Sequence, residues 1–318
     1  MDTRKLYEFN VDERMEIYAL IKSADVRVAK NGNQYLALVM TDTSGEMPGM
    51  VWEATPEMVA TFKAGEVVVM QAVRQVYQGK PQLKILHIGL PDLAADVDPD
   101  DFVASAPMRK KEMEEEVTQL LFQITNPNWN RIVRYLLQKH ADTFYAYPAA
   151  KKNHHAFNGG LAYHTISIAR LATSVAAQYE QVDRSLLYAG ALLHDLGKTV
   201  ELSGPVGTTY TTSGNLIGHI VLIDEEIVLA AHELNIDLHA EDMLLLRHVV
   251  LAHHGLLEYG SPVRPMVLEA NILHQLDELD ASIQMIDTVL EHTEPGQFSE
   301  RVFGLDGRMM YRKNAENK

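Results

Sequence analysis

"AGALLHDLGK", Ala189–Lys198, joins an apolar run to a histidine–aspartate doublet, a glycine and a lysine. The first half suits a buried helix. The second half cannot simply extend it, because taking an imidazole and a carboxylate out of water is unfavourable unless each finds a partner. A chain that buries Leu192 and Leu193 has little packing reason to follow them with His194 and Asp195. The stretch therefore reads as a helix that delivers metal ligands to a site.

The histidines around it support that reading. Of 14 in the chain, 11 lie between His154 and His274, so they are concentrated in the region of the doublet. His164 falls near the start of an amphipathic helix, "GGLAYHTISIARLA", opened by Gly159-Gly160. His219, in "GNLIGHIVLIDEEIVLAAHEL", also stands near a helix start. His253-His254 ends "EDMLLLRHVVLAHHG", with Gly255 expected at the C′ position. Asp277 and Asp280 lie one turn apart in "PMVLEANILHQLDELDASIQMIDTVL", and His274 one turn before Asp277.

Imidazole nitrogens and carboxylates bind divalent manganese, iron, cobalt and zinc. An aspartate has two oxygens and can bridge two ions, and a pair of ions is a standard device for hydrolysing phosphoesters. Lys198, one turn beyond His194, is in reach of a phosphate oxygen. A single histidine on an apolar helix is more often a core residue with a satisfied ring, and His232, His239 and His248 are read that way. The ordered series of a histidine, "HDxGK", "GH", "HHG" and "LDxLDA" is not explained so simply.

The remainder of the chain divides into two patterns. From Ile17 to about Ile88 it is strand-like: "YLALVM", "MPGMVW", "EVVVMQAVRQVY" and "QLKILHI" are separated by turn signals at Asn31-Gly32-Asn33, Thr43-Ser44-Gly45 and Gln78-Gly79-Lys80. About five short strands in this space suit a small closed all-β barrel, assigned to residues 1–92. The segment 93–112 is acidic and proline-bearing without apolar periodicity, and is read as a linker. "EMEEEVTQLLFQI" and "WNRIVRYLLQKHADTF" open an all-α domain, 113–318, whose helical pattern runs to about His292 before a C-terminal tail.

Composition sets outer bounds. With 47% apolar and 22% charged residues the 318-residue chain is globular rather than disordered. No apolar run approaches the roughly 20 residues of a membrane helix. "MDTRKLYEFNVDERMEIY" has no apolar core of a secretory signal, and the absence of cysteine excludes disulfides and thiolate sites. The expected location is the cytoplasm. A net charge of −15 argues against a phosphate-binding surface, but it is uneven: 10 basic against 12 acidic residues through Asp92, then 18 against 31. The N-terminal part is near balance.

The ordered histidine series resembles the HD-domain metal-dependent phosphohydrolases. By that resemblance His164, His194, Asp195 and Asp277 hold one divalent ion, with Asp280 competing for the last place. The dinuclear branch of the family implies a second ion on His219, His253 and His254, with Lys198 matching a lysine that often follows the doublet. "DVRVAKNGNQYLALVMTDTSGEMPGMVW" resembles the opening of an OB-fold of the anticodon-binding type. OB barrels bind single strands by aromatic stacking and a basic groove. Lys30, Tyr35, Trp52, Tyr77, Lys80 and Lys84 are the candidate contacts; the rings could equally pack the barrel and the lysines be ordinary surface.

The order of OB-fold, acidic linker and HD domain, with "PAAKKNHHAFNGGLAYHT", "HDLGKTVEL", "AHHGLLEYGSPVRP" and the tail "FSERVFGLDGRMMYR", is similar to the YhaM-type 3′→5′ exoribonucleases over nearly the whole chain. The resemblance implies removal of nucleoside 5′-monophosphates from 3′ ends of single-stranded RNA, with DNA as an alternative substrate. Manganese is the implied activator, with cobalt, iron or magnesium as alternatives. His155 is a candidate phosphate contact and catalytic residue beside Asp195 and Lys198; Arg308 and Tyr311 are further substrate-side candidates. Two rival readings stand beside this one: an HD nucleotidase or cyclic-dinucleotide phosphodiesterase, and a non-catalytic RNA-binding protein that uses the HD fold as a scaffold.

Overall fold

The computed structural model describes residues 2–29, 32–77, 80–92, 95, 97–151 and 155–314. The chain separates into two compact units, Met1–Ser105 with Pro205–Thr208, and Ala106–Gly204 with Thr209–Lys318. No helix among the described residues is long and apolar enough to cross a membrane.

In the first unit five strands close into a barrel in the order β1-β2-β3-β5-β4. They are β1 (Arg14–Val28), β2 (Gln34–Asp42), β3 (Gly45–Val51), β4 (Val67–Tyr77) and β5 (Lys80–Gly89). The length of β1 lets it serve twice: Arg14–Leu20 pairs with β4 and Leu20–Val28 with β2, across a register shift between Ile21 and Ser23. Such a shift bends a strand and lets a sheet curl shut. Closure is made by the parallel contact of β3 with β5, Gly49 opposite Leu83. Alternate residues face inward, as the pleat dictates; Met15, Ile17, Ala19, Leu36, Leu38, Met40, Val68, Met70 and Ala72 form the core.

Between β3 and β4 lies a short helix, α1 (Pro56–Thr61), capped by the Thr55 side chain on the Met58 N–H with proline in the first turn. Six residues are too few to display a helical apolar period, and the sequence pattern gave no sign of α1. A five-stranded closed barrel with a helix at this point is OB-like. The segment expected as a linker holds a 3-10 turn, Pro99–Phe102, whose Phe102 packs with Leu20 and Val67. One aromatic in a polar run creates no periodicity but buries a large area.

The second unit is helical: α2 (Lys110–Gln123), α3 (Pro127–Lys139), α4 (Ala141–Phe144), α5 (Gly160–Gln178), α6 (Arg184–Leu193), α7 (Lys198–Glu201), α8 (Thr212–Leu216), α9 (His219–Glu233), α10 (Glu241–Leu251) and α11 (Leu268–Glu291). The opening of α2 at Lys110 falls inside the expected linker. Helix α6 lies at the centre: every residue from Ser185 to Leu193 is buried, as an all-round apolar helix requires. A Cβ on Gly190 would lie 2.4 Å from Val249 Cγ1, so glycine there permits close approach of α6 and α10. The tail folds back on itself in bridges Phe298–Tyr311 and Val302–Arg308. Arg312 Nη1 donates to the carbonyls of Leu290, Glu291 and Thr293, tying the tail to the end of α11.

Candidate metal centre

Each histidine of the series stands at or near the end of a helix, where the backbone can turn a side chain toward one centre. His164 is in the second turn of α5, His194 caps α6, and His219 is the first residue of α9. His253 and His254 follow α10, which ends earlier than expected, with Ala252 rather than His254 as its cap. Gly255 has φ +71° and turns the chain away; a Cβ there would meet the His274 ring at 2.4 Å. His274 Nδ1–H in turn donates to the His253 carbonyl at 3.1 Å.

All five rings follow one rule: Nδ1 is bound to an acceptor and Nε2 is turned inward. His194 Nδ1–H donates to Ala191 O (2.8 Å), His253 Nδ1–H to Val250 O (2.6 Å) and His254 Nδ1–H to Tyr259 O (2.7 Å). His219 Nδ1–H donates to Glu201 Oε1 (3.1 Å) and His164 Nδ1–H to Asp280 Oδ2 (2.8 Å). Carbonyls and carboxylates only accept, so each Nδ1 carries the hydrogen and each neutral ring offers a lone pair on Nε2. This is the arrangement that fixes metal-ligating imidazoles. Among the described residues His194 Nε2, His219 Nε2, His253 Nε2 and Asp195 Oδ1 are buried and make no hydrogen bond.

Those atoms converge. The rings form a continuous series with neighbouring centroids 4.4–5.5 Å apart, from His164 through His194, His253 and His254 to His219. Asp195 lies among them and divides its oxygens: Oδ2 is 3.3 Å from His164 Nε2 and 3.5 Å from His194 Nε2. Oδ1 is 3.4 Å from His219 Nε2 and 3.7 Å from His253 Nε2. Two groups of donor atoms result, His164–His194–Asp195 and Asp195–His219–His253–His254.

One turn of α11 clasps His164 at both nitrogens. Asp277 Oδ1 is 3.2 Å from Nε2, on the inner side, and Asp280 Oδ2 holds Nδ1 from the other. Asp280 also accepts from His155 Nε2 (2.7 Å) and from the Ser167 hydroxyl. It is thus occupied in orienting His164, whereas Asp277 faces the centre. His155, expected beside the substrate, is buried against Asp280 instead. Its backbone is left-handed, φ 49°, and a Cβ on Gly160 would lie 2.1 Å from its carbonyl, which accounts for the glycine after Gly159.

The electrostatics are those of a centre short of positive charge. Burial opposes ionisation of Asp195, but Lys198 and the surrounding imidazoles prevail and hold its carboxyl well below the usual range. Burial likewise favours the protonated form of Asp277, but His164 outweighs it and holds that carboxyl well below the usual range. Burial keeps His194, His253 and His254 neutral, with their ring pKa values pushed down. On His164 burial is outweighed by Asp195, Asp277 and Asp280, and its pKa is pushed well up. A lone pair facing two carboxylates is repulsive, so a proton or a cation belongs between them. Nitrogen and carboxylate donors around a common buried centre fit first-row divalent ions.

Lys198 Nζ donates to Asp195 Oδ2 at 2.7 Å and is itself buried. Spacing alone does not mark Glu201, Asp280, Ser167 or His274 as supports; the three-residue interval Asp195–Lys198–Glu201 is the available signal for Glu201. In the barrel unit Tyr35 and Trp52 come together, ring centroids 4.9 Å apart, with Trp52 59% exposed. Tyr77 stands opposite Lys80 in the β4–β5 register, and Lys84 beside Met50 where β5 meets β3. Lys30 lies outside the described residues. Arg308 Nε donates to Leu305 O, and the Tyr311 ring meets Phe298, both within the tail.

Comparison with known proteins gives concordant matches. The HD domain family matches residues 161–282. A protein named 3'-5' exoribonuclease YhaM from Listeria monocytogenes serovar 1/2a is 48% identical over 313 residues, 98% of this chain and 99% of that protein. The protein of the same name from Listeria innocua serovar 6a is 48% identical over 313 residues, with the same shares covered. Among solved structures, the second OB-fold domain of replication protein A from Methanococcus maripaludis matches at 18% identity and TM-score 0.23, covering 30% of this chain and 98% of that one.

Proposed function

This chain belongs to the YhaM family of 3′-5′ exoribonucleases and is a metal-dependent hydrolase with an HD domain, and from that premise we propose how its own residues do the work. The reading is that it removes nucleoside 5′-monophosphates from the 3′ end of single-stranded RNA, with DNA as the alternative strand, in the cytoplasm. The observation that carries it is the division of the Asp195 oxygens between two sets of inward-facing imidazoles.

In this reading His164, His194, Asp195 and Asp277 would hold one divalent ion, and His219, His253 and His254, with the other oxygen of Asp195, would hold a second. Manganese is the preferred ion. Bound ions supply Lewis acidity, lowering the pKa of a water and offsetting charge on phosphoryl oxygens. The protein fixes every donor before substrate arrives: backbone carbonyls, Glu201 and Asp280 hold the Nδ1 sides of the rings. Such preorganisation avoids reorientation of dipoles during the reaction. Water adds to the terminal phosphorus, and the 3′ oxygen of the preceding nucleotide leaves and takes up a proton. Lys198 keeps Asp195 ionised and presents its remaining N–H bonds to the phosphoryl oxygens. Tyr35 and Trp52 offer a surface on which a base stacks, with Lys80 and Lys84 near the backbone.

The test is Asp195→Ala, its fold verified by circular dichroism, against a 5′-labelled single-stranded RNA with manganese. The parent gives a descending ladder; the variant gives none. Manganese-dependent shortening by the folded variant would overturn the assignment. A parent that cleaves free nucleotides but leaves the labelled strand intact would favour the nucleotidase reading.

A further inference from the structure

The two halves of the centre are supported by different carboxylates, and the supports are unequal. Around His164 the ring is fully buried and Asp280 is braced by three donors, His155, His164 and Ser167. Around His219 the only side chain in contact with Nδ1 among the described residues is Glu201, and His254 is partly open to solvent. Glu201 does more there than hold a ring. Its Oε1 accepts both the His219 backbone N–H, at 3.0 Å, and the His219 Nδ1–H, at 3.1 Å. One oxygen thus fixes the residue on which α9 begins and the direction in which its imidazole points.

The mounting is firm on the opposite side. The Glu201 carbonyl accepts from the Thr211 N–H at 2.9 Å, and a Cβ on Gly214 would lie 2.3 Å from that carbonyl. The His219 carbonyl passes over Gly197, where a Cβ would approach to 2.2 Å. The stretch Asp195–Glu201 therefore supplies the shared carboxylate, the lysine that holds it, the glycine that makes room for His219, and the acid that orients His219. Within this set, Asp195 is the residue that meets His164, at 3.3 Å from its Nε2.

We propose that Glu201 is the positioning residue of the His219–His253–His254 half and sets the affinity of that half alone, leaving the ion held by His164, His194 and Asp277 in place. The proposal rests on the two-ion reading above. The mechanism is geometric. Without Glu201 the His219 ring is free to rotate about its side-chain bonds, Nε2 no longer points inward, and a ligand is lost from one group of donors but not from the other. Loss of an orienting partner of this kind weakens metal binding roughly 10- to 100-fold.

The experiment titrates manganese(II) into the metal-free full-length chain, reading bound metal by equilibrium dialysis and elemental analysis, and the magnetic interaction between ions by electron paramagnetic resonance. The parent takes up two ions per chain and shows the spectrum of a coupled pair. Glu201→Ala keeps the tighter ion with parent affinity, binds the other roughly 10- to 100-fold more weakly, and shows an isolated-ion spectrum at intermediate manganese. Glu201→Gln, which retains an acceptor oxygen and guards against misfolding of the alanine variant, falls between the two. Parent-like binding of both ions by the folded variants overturns the proposal, as does equal weakening of both ions, the mark of a merely structural role. A parent that binds fewer than two ions overturns the two-ion reading itself and the proposal with it.

Discussion

Lys198 Nζ lies 2.7 Å from Asp195 Oδ2, in a pair withdrawn from water on every side. A buried carboxylate that loses its only lysine is left uncompensated, and breaking such a pair costs about 3–5 kcal/mol. His164, whose pKa the carboxylates push up against burial, also faces Asp195, so the lower end of that range applies. Lys198→Met is therefore expected to lower the melting temperature of the metal-free chain by roughly 6–12 °C. Adding manganese supplies positive charge beside the same oxygen, and the difference between variant and parent narrows. Thermal melts with chelator and with manganese check this; a gap that stays constant would show that Lys198 does not share its task with a cation.

Gly197 is required by its neighbour rather than by its own backbone. Its φ of −60° and ψ of −18° are open to any residue, but a Cβ would meet the His219 carbonyl oxygen at 2.2 Å and its carbon at 3.0 Å. Main chain at the start of a helix cannot move aside cheaply. Gly197→Ala is expected to destabilise the helical unit by about 1–3 kcal/mol, the usual result of overpacking, and to displace His219 from the centre. Denaturant unfolding and manganese content measured on the same preparation give both parts of the prediction. Normal metal content in the alanine variant would mean that the α6–α7 turn gives way without disturbing the ligand.

Trp52 is exposed beside Tyr35, a position in which a large ring has little to gain from packing. If the pair serves as a stacking platform, Trp52→Ala weakens binding of single-stranded RNA by roughly 1–3 kcal/mol, while manganese content stays at the parent level. Fluorescence anisotropy of a labelled oligonucleotide, with calcium replacing manganese to prevent cleavage, reads the affinity. Unchanged binding would return Trp52 to the surface of an ordinary barrel.

How far the site could be read in advance depended on what each residue would otherwise have to explain. His194 and Asp195 after an apolar run, and His253 next to His254, have no comfortable role in a core, and so their gathering at one centre was legible from order alone. The contacts of Asp280 and Glu201 were not, because spacing along a helix places a carboxylate on a face without telling which nitrogen of a ring it meets. Asp277 and Asp280 are the clearest instance: one turn apart, they contact opposite nitrogens of His164. His155 is the reverse case, a histidine whose neighbours in sequence gave no warning that its ring is spent on Asp280. In the barrel the alternation of "YLALVM" sufficed for strand β2, whereas α1 is too short for any period, and Phe102 anchors its segment alone.

His248 offers a prediction away from the metal ligands. Its Nε2 accepts the Met266 backbone N–H at 2.9 Å, which ties the chain ahead of α11 to α10. Partial burial pushes the His248 pKa below the ordinary histidine value, and protonation at Nε2 would remove the acceptor. The unfolded chain therefore takes up this proton first, near pH 6.5. The contribution of His248 to stability is fully present above that pH and is lost as the pH falls through the lower folded-state value. His248→Gln keeps an acceptor and does not titrate. In chelator, the fall in melting temperature between pH 7.5 and 5.5 should be smaller for the variant than for the parent, by about 1–2 °C for a group still half open to water. Identical slopes would show that the Met266 bond contributes nothing to stability.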